Sequence, residues 1–142
     1  MEIPFYQEHW LAIPFKMVRG SESYKDKVAD ASFYESFYKT LFDSQKGLNS
    51  DWLAQKRAVS EWIEATFLQP MRNSLGDSFR ILSVGAGMGA VEEPWVRRGY
   101  HVELQECTEA PLRRFRAFYP EVPLHICDGK AMHLPDNSYD LV

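Results

Sequence analysis

The chain has 142 residues, with 20 acidic against 16 basic side chains and a formal net charge of −4. That length suits one domain with a real core, and the acidic balance argues against nucleic acid, whose phosphates call for a basic surface. No apolar run approaches the ~20 residues that span a bilayer, and "MEIPFYQEHW" lacks the apolar stretch of a secretory leader. The expected setting is therefore cytoplasmic and reducing.

Residues 1–30 contain Pro4, Pro14 and Gly20 and read as an irregular arm, with a short helix predicted around Tyr6 to Leu11. "ASFYESFYKTLFDS" follows, with apolar pairs at Phe33/Tyr34, Phe37/Tyr38 and Leu41/Phe42. Recurrence every four residues lays one broad stripe along a helix. Ser32 and Glu35 have the spacing of a capping box at its start. A second helix is predicted from near Ser50 through Trp52, Val59, Trp62, Ile63 and Phe67, stopping before Pro70. Residues 1–75 are thus expected to form an aromatic-rich helical extension.

From residue 76 the pattern changes to short strands alternating with helices. "RILSV" reads as a buried strand, followed by a glycine turn and a helix ending at Gly99. Pro94 conflicts with the interior of that helix, so a late or kinked first turn is expected. "HVELQE" is a second strand, "EAPLRRFRAFY" a helix, "LHICD" a third strand, and "YDLV" opens a fourth. Such alternation predicts an α/β fold with a Rossmann-like parallel sheet and right-handed crossovers.

The glycine turn is "GAGMGA", with Gly85, Gly87 and Gly89 alternating. Positions without side chains let a ligand approach the backbone and the following helix start. The motif alone fits a dinucleotide loop, with Ala90 last, and equally a loop for a smaller adenosine cofactor. Glu106, 21 positions after Gly85 at the end of the second strand, suits ribose hydroxyls in either case.

The third strand separates the two. Taken together, "ILSVGAGMG", "VELQECT", "CDGKAMHLP" and "NSYDLV" resemble the class I S-adenosylmethionine (SAM)-dependent methyltransferases over Phe79 to Val142. The resemblance implies strand order 3-2-1-4 and a SAM site in residues 76–142. The first loop (Ser83, Gly85, Ala86, Gly87, Gly89) would meet the amino-acid end of the cofactor, and Glu106 the ribose. Cys107 and Thr108 would touch the ring or ribose, and Asp128, with Gly129 leaving room, the adenine amine. The family usually has an acid two residues before the first glycine; here Ser83 stands there and brings no charge. The resemblance also implies further strands after the fourth, so the chain is expected to be the cofactor half of a longer enzyme. Its fourth strand would be an open edge favouring self-association.

No metal site or catalytic base is indicated. The expected acceptor is a small molecule methylated on oxygen or nitrogen, with Trp10, Phe15, Tyr24, Tyr34 and Tyr38 as candidate lid residues. Packing against the sheet explains the same aromatic stripe. His133 is read as a surface loop residue, Cys107 and Cys127 as packed thiols, and Arg97, Arg98, Arg113, Arg114 and Arg116 as a solvated helix surface. Two competing functions remain at this point: a nicotinamide- or flavin-dependent oxidoreductase, and a non-catalytic module that keeps the fold for partner binding.

Overall fold

The computed structural model describes residues 9–10, 13–14, 31–44 and 50–142. Near the start, β1 (His9–Trp10) pairs antiparallel with β2 (Ile13–Pro14), so the helix expected over Tyr6 to Leu11 does not run through His9 and Trp10. The side chains of Trp10, Phe15 and Tyr24 lie outside the described residues.

Helix α1 (Ala31–Ser44) carries the predicted stripe. It spans Ser32, which therefore lies inside the helix and not before it as a cap. Phe37, Tyr38 and Leu41 are buried, and with Ala110 they form a small cluster that Phe33, Tyr34 and Met88 complete. The stripe thus packs on the loops beside the sheet.

Helix α2 (Ser50–Ile63) passes into a π-helical turn, Glu64–Leu68, and then α3 (Gln69–Leu75). The predicted stop before Pro70 is not observed. In the π turn the Gln69 N–H reaches back to the Glu64 carbonyl, and Pro70 falls in the first turn of α3. A proline there gives up no hydrogen bond that the helix requires. The shift also turns Glu64 inward, where its carboxylate accepts from Arg98 and from the Tyr100 hydroxyl.

The sheet contains β3 (Arg80–Val84), β4 (His101–Glu106) and β5 (Leu124–Ile126), all parallel, with β4 in the middle. Register runs Ile81 to Val102 and Leu104 to Leu124. Beyond β3 a single parallel bridge joins Ile81 to Leu141, so the expected fourth strand is present only as one paired residue. Between the strands lie α4 (Glu93–Arg97) and α5 (Arg113–Phe118), both shorter than the sequence pattern suggested. Pro94 sits in the first turn of α4, as its chemistry requires, and Pro111 precedes α5 in a turn. Two residues past the end of α4, Gly99 has a φ of +78° that permits a Schellman closure: Tyr100 N–H to the Trp95 carbonyl and Gly99 N–H to that of Val96.

One sheet face carries Ile81, Val102 and Leu104 into a core with Trp95, Leu112, Phe115 and, from the π turn, Leu68. The Trp95 indole N–H donates to the Ser60 carbonyl, fixing α2 to α4. On the opposite face, Gly129 lies beside Val84 and Gln105, and the Tyr139 hydroxyl donates to Glu103. Among the described residues no helix is long and apolar enough to cross a membrane.

Glu103 is the polar hub of that second face. Burial alone would raise its pKa, but donation from Arg80, His125 and Tyr139 and the charge of Arg80 outweigh it and hold the carboxyl at about 2. Because the folded pKa lies below the ordinary value, Glu103 stabilises the fold above about pH 4.3, and that contribution is lost as pH falls toward the folded value. Arg80 is half exposed, so the gain is modest. We expect Glu103→Gln to lower the unfolding free energy by about 1 kcal/mol at pH 7. In urea titrations the difference from the parent should shrink as the pH is taken from 5 to about 2.

Candidate functional site

The end of β4 pins the glycine loop in place. Gly85 and Ala86 N–H both donate to the Gln105 carbonyl, at 3.0 and 3.1 Å, and the Gln105 side-chain oxygen also accepts from Gly85 N–H at 3.1 Å. Glu106 Oε2 takes the Gly87 N–H at 2.8 Å, while its Oε1 takes the N–H of Cys107 at the same distance. Glu106 is buried all the same, and an ionised carboxylate has about four acceptor sites, so capacity for further donors remains on both oxygens.

A cavity of about 310 Å³ opens over this loop. Its floor is Gly85, Ala86, Gly87 and Glu106; α1 supplies Tyr34 and Tyr38, α2 supplies Trp52 and Lys56, and Met88, Ala90 and Val91 close it. Burial raises the pKa of Tyr38 most strongly, and the negative charge of Glu106 adds to the effect. Tyr34 is raised for the same reasons, burial first, with contributions from Cys107 and Glu106. Both phenols stay protonated and present O–H groups near the carboxylate. A Cβ on Gly87 would stand 3.4 Å from the Tyr38 hydroxyl, so α1 rests directly on the loop.

The structure does not gather all of the predicted residues here. Gly85, Ala86, Gly87 and Glu106 line the cavity; Ser83, Gly89, Cys107, Thr108, Asp128 and Gly129 do not. Ser83 Oγ donates to Glu92 Oε1 at 2.6 Å beneath the loop. The Cys107 thiol is half buried, and burial, then its hydrogen bond with Glu106, push its pKa up to about 12. Thr108 is buried and its Oγ1 has no partner among the described residues. Asp128 is exposed and accepts from Lys130 N–H at 2.9 Å, closing a turn after β5. Cys127 and the loop after it are tied to the site through Gln105, whose Nε2 donates to the Cys127 carbonyl at 2.6 Å. His133 is exposed, as are Arg97, Arg98, Arg113, Arg114 and Arg116.

Sequence reasoning missed three contributors. Gln105 joins the first and third strand-end loops, and its only sequence signal was a polar residue closing a buried strand. Glu92 is 4% exposed, and nothing in the sequence pattern singled it out. Lys56 lies on a helix whose apolar stripe drew attention to its neighbours.

No family model matches this chain, and no curated protein matches it. Among solved structures it is similar to a SAM-bound amino pentose methyltransferase from Micromonospora echinaspora involved in calicheamicin biosynthesis. The two are 28% identical, with a TM-score of 0.42 and 69% of this chain covered. The match spans 37% of that chain, a little over a third of its length.

Gly89 has a different task from the other loop glycines. Its φ is +72°, and a Cβ would lie 2.4 Å from Cδ2 of Phe115, with the rest of the ring edge close behind. The absent side chain lets the loop seat on α5. Gly89→Ala would strain the backbone and push into a core ring, and we expect a loss of about 2–4 kcal/mol in unfolding free energy. Denaturant titration tests this: a change under 1 kcal/mol would mean the loop and Phe115 are not packed as described.

Proposed function

We propose that this chain is the cofactor-binding part of a SAM-dependent methyltransferase, moving a methyl group to an oxygen or nitrogen of a small-molecule acceptor. The observation that carries the reading is the chemistry of the loop. Its amides at Gly85, Ala86 and Gly87 are turned onto Gln105 and Glu106, and buried Glu92 and half-buried Glu93 stand at the start of the following helix. A dinucleotide pyrophosphate needs free N–H groups and a helix start without negative charge. This loop offers instead the buried carboxylate of Glu106 as an acceptor for a diol.

SAM has no phosphate, and when bound it supplies an electrophilic methyl on a sulfonium. The residues at hand fit such a ligand. The spare acceptor sites of Glu106 suit ribose hydroxyls, and the cavity lies within the range of small-molecule sites. Thr108 Oγ1 and Glu92 Oε2 are buried and have no partner among the described residues. The protein's part is to bind and orient, which is where most of the acceleration of such a transfer can come from. Tyr34, Tyr38 and Trp52 exclude water from above the loop and give an acceptor an aromatic surface. With a formal net charge of −4, the chain favours a small acceptor over a polyanion.

Calorimetric titration of the 142-residue chain with S-adenosylhomocysteine, and in parallel with NAD, tests the reading. Saturable binding of S-adenosylhomocysteine alone is expected, weakened by Glu106→Ala roughly 10-fold or more. Binding of NAD would favour an oxidoreductase. A chain that is folded by circular dichroism yet silent toward both would favour a non-catalytic module.

A further inference from the structure

A second cavity, of about 440 Å³, adjoins the one over the glycine loop and shares Trp52, Met88 and Ala90 with it. It lies between α2 and α5, and buried Phe115 and Pro111 form its floor. On its walls α2 leaves Leu53 49% exposed, and α5 leaves Phe118 68% exposed. Single surface hydrophobics need no explanation, but two large ones lining one recess mark a binding surface.

Two guanidinium groups stand at the rim. Arg57 from α2 and Arg114 from α5 both line the cavity and are exposed. Arg114 lies over the Phe118 ring, 5.9 Å from its centre. Neither arginine forms an ion pair among the described residues. Glu61, one turn further along α2, lines an adjoining recess with Arg57 and does not pair with it. The acid in the cavity lining, Glu93, is already engaged. It accepts from the Tyr119 hydroxyl at 2.7 Å and pairs with Arg97 at 3.4 Å.

A guanidinium is weakly hydrated, and its planar fork matches a carboxylate. Beside apolar walls that exclude water, such a pair gains more than it would in the open. An uncharged hydrocarbon would leave both forks unmatched, while a bare inorganic anion would leave Leu53 and Phe118 in water. We propose that this cavity binds a small amphipathic carboxylate, with its apolar body between Leu53 and Phe118 and its carboxylate on Arg57 and Arg114. The volume lies within the range of small-molecule sites. The site does not depend on the SAM reading, because none of its charged groups lines the cavity over the glycine loop.

The test is a fluorescence titration of the 142-residue chain with 8-anilinonaphthalene-1-sulfonate, an apolar anion, and with its uncharged counterpart N-phenyl-1-naphthylamine. Decanoate is then added as competitor. We expect one saturable site that prefers the anion by roughly 10-fold and releases it to decanoate. Arg57→Gln and Arg114→Gln should each weaken the anionic probe roughly 3- to 10-fold and leave the neutral one within about twofold. Leu53→Gln should weaken both probes, and Lys56→Gln, in the neighbouring cavity, neither. Equal affinity for the two probes, failure of decanoate to compete, or arginine variants that bind as the parent does overturns the proposal. So does a folded chain that binds neither probe, or a loss confined to Lys56→Gln, which would put the probe over the glycine loop. Circular dichroism is run on each variant. If one arginine variant fails to fold, the other decides by the same criterion.

Discussion

The carboxylate of Glu106 accepting the Gly87 N–H, next to the paired hold of Gln105 on Gly85 and Ala86, is the constraint on which the site depends. These bonds run from the end of the central strand to the loop that leaves its neighbour, so they are made only when β3 and β4 are in register. A one-residue slip in a parallel pair would turn Glu106 to the opposite face and strip the loop of its acceptors. The same bonds set the polarity of the site. With three loop amides directed at β4, what faces a ligand is a bare backbone and carboxylate oxygen, a surface that accepts hydrogen bonds more readily than it gives them. Gln105 extends the arrangement by holding the Cys127 carbonyl, so that the loops after all three strands share one small hydrogen-bonded unit.

The N-terminal helices complete this unit from two directions. Leu68 in the π turn enters the main core, and Trp95 reaches out to the Ser60 carbonyl, so α2 is held in place by packing on one side and a hydrogen bond on the other. That fixes the helix face bearing Trp52 and Lys56 toward the loop. The irregular turn has a clear use here. A π turn rotates the residues after it relative to those before, and it lets Glu64 meet Arg98 and Tyr100 while Pro70 is accommodated without a broken helix. α1 adds a cap of a different kind, since its aromatic pair of Phe37 and Tyr38 is buried on Ala110 and sets the Tyr38 hydroxyl against Gly87.

Strands were the most legible part of the sequence, because buried runs such as "RILSV" and "HVELQE" end in glycine or in a strand-end acid, and each lies where it was expected. Helices after the glycine turn were legible in position and not in length. Pro94 and Pro111 delay the first helical hydrogen bond, and turns of the chain replace what periodicity suggested would be helix. The π turn was hidden because it changes the hydrogen-bond step without changing composition. The site divides along similar lines. Glycines and a strand-end glutamate are local signals, and Gly85, Gly87 and Glu106 line the cavity. The pairing of Ser83 with Glu92 depends on how a turn folds back on its own strand, and a glutamate before a helix looks the same whether it faces water or a serine. Gly89 carries a packing constraint that its motif position did not signal: the space left by its missing side chain is taken by Phe115.

The distribution of charge ties these observations to one chemistry. Arg97, Arg98 and Arg116 pair with Glu93, Glu64 and Glu109, so their charge is matched locally and adds little field at the loop. The acids Glu92 and Glu106, by contrast, are buried, one bonded to Ser83 and the other to the Gly87 amide. The cavity lining holds one acid, Glu106, and one cation, Lys56, and with the loop amides already turned onto β4 its backbone offers acceptors more readily than free donors.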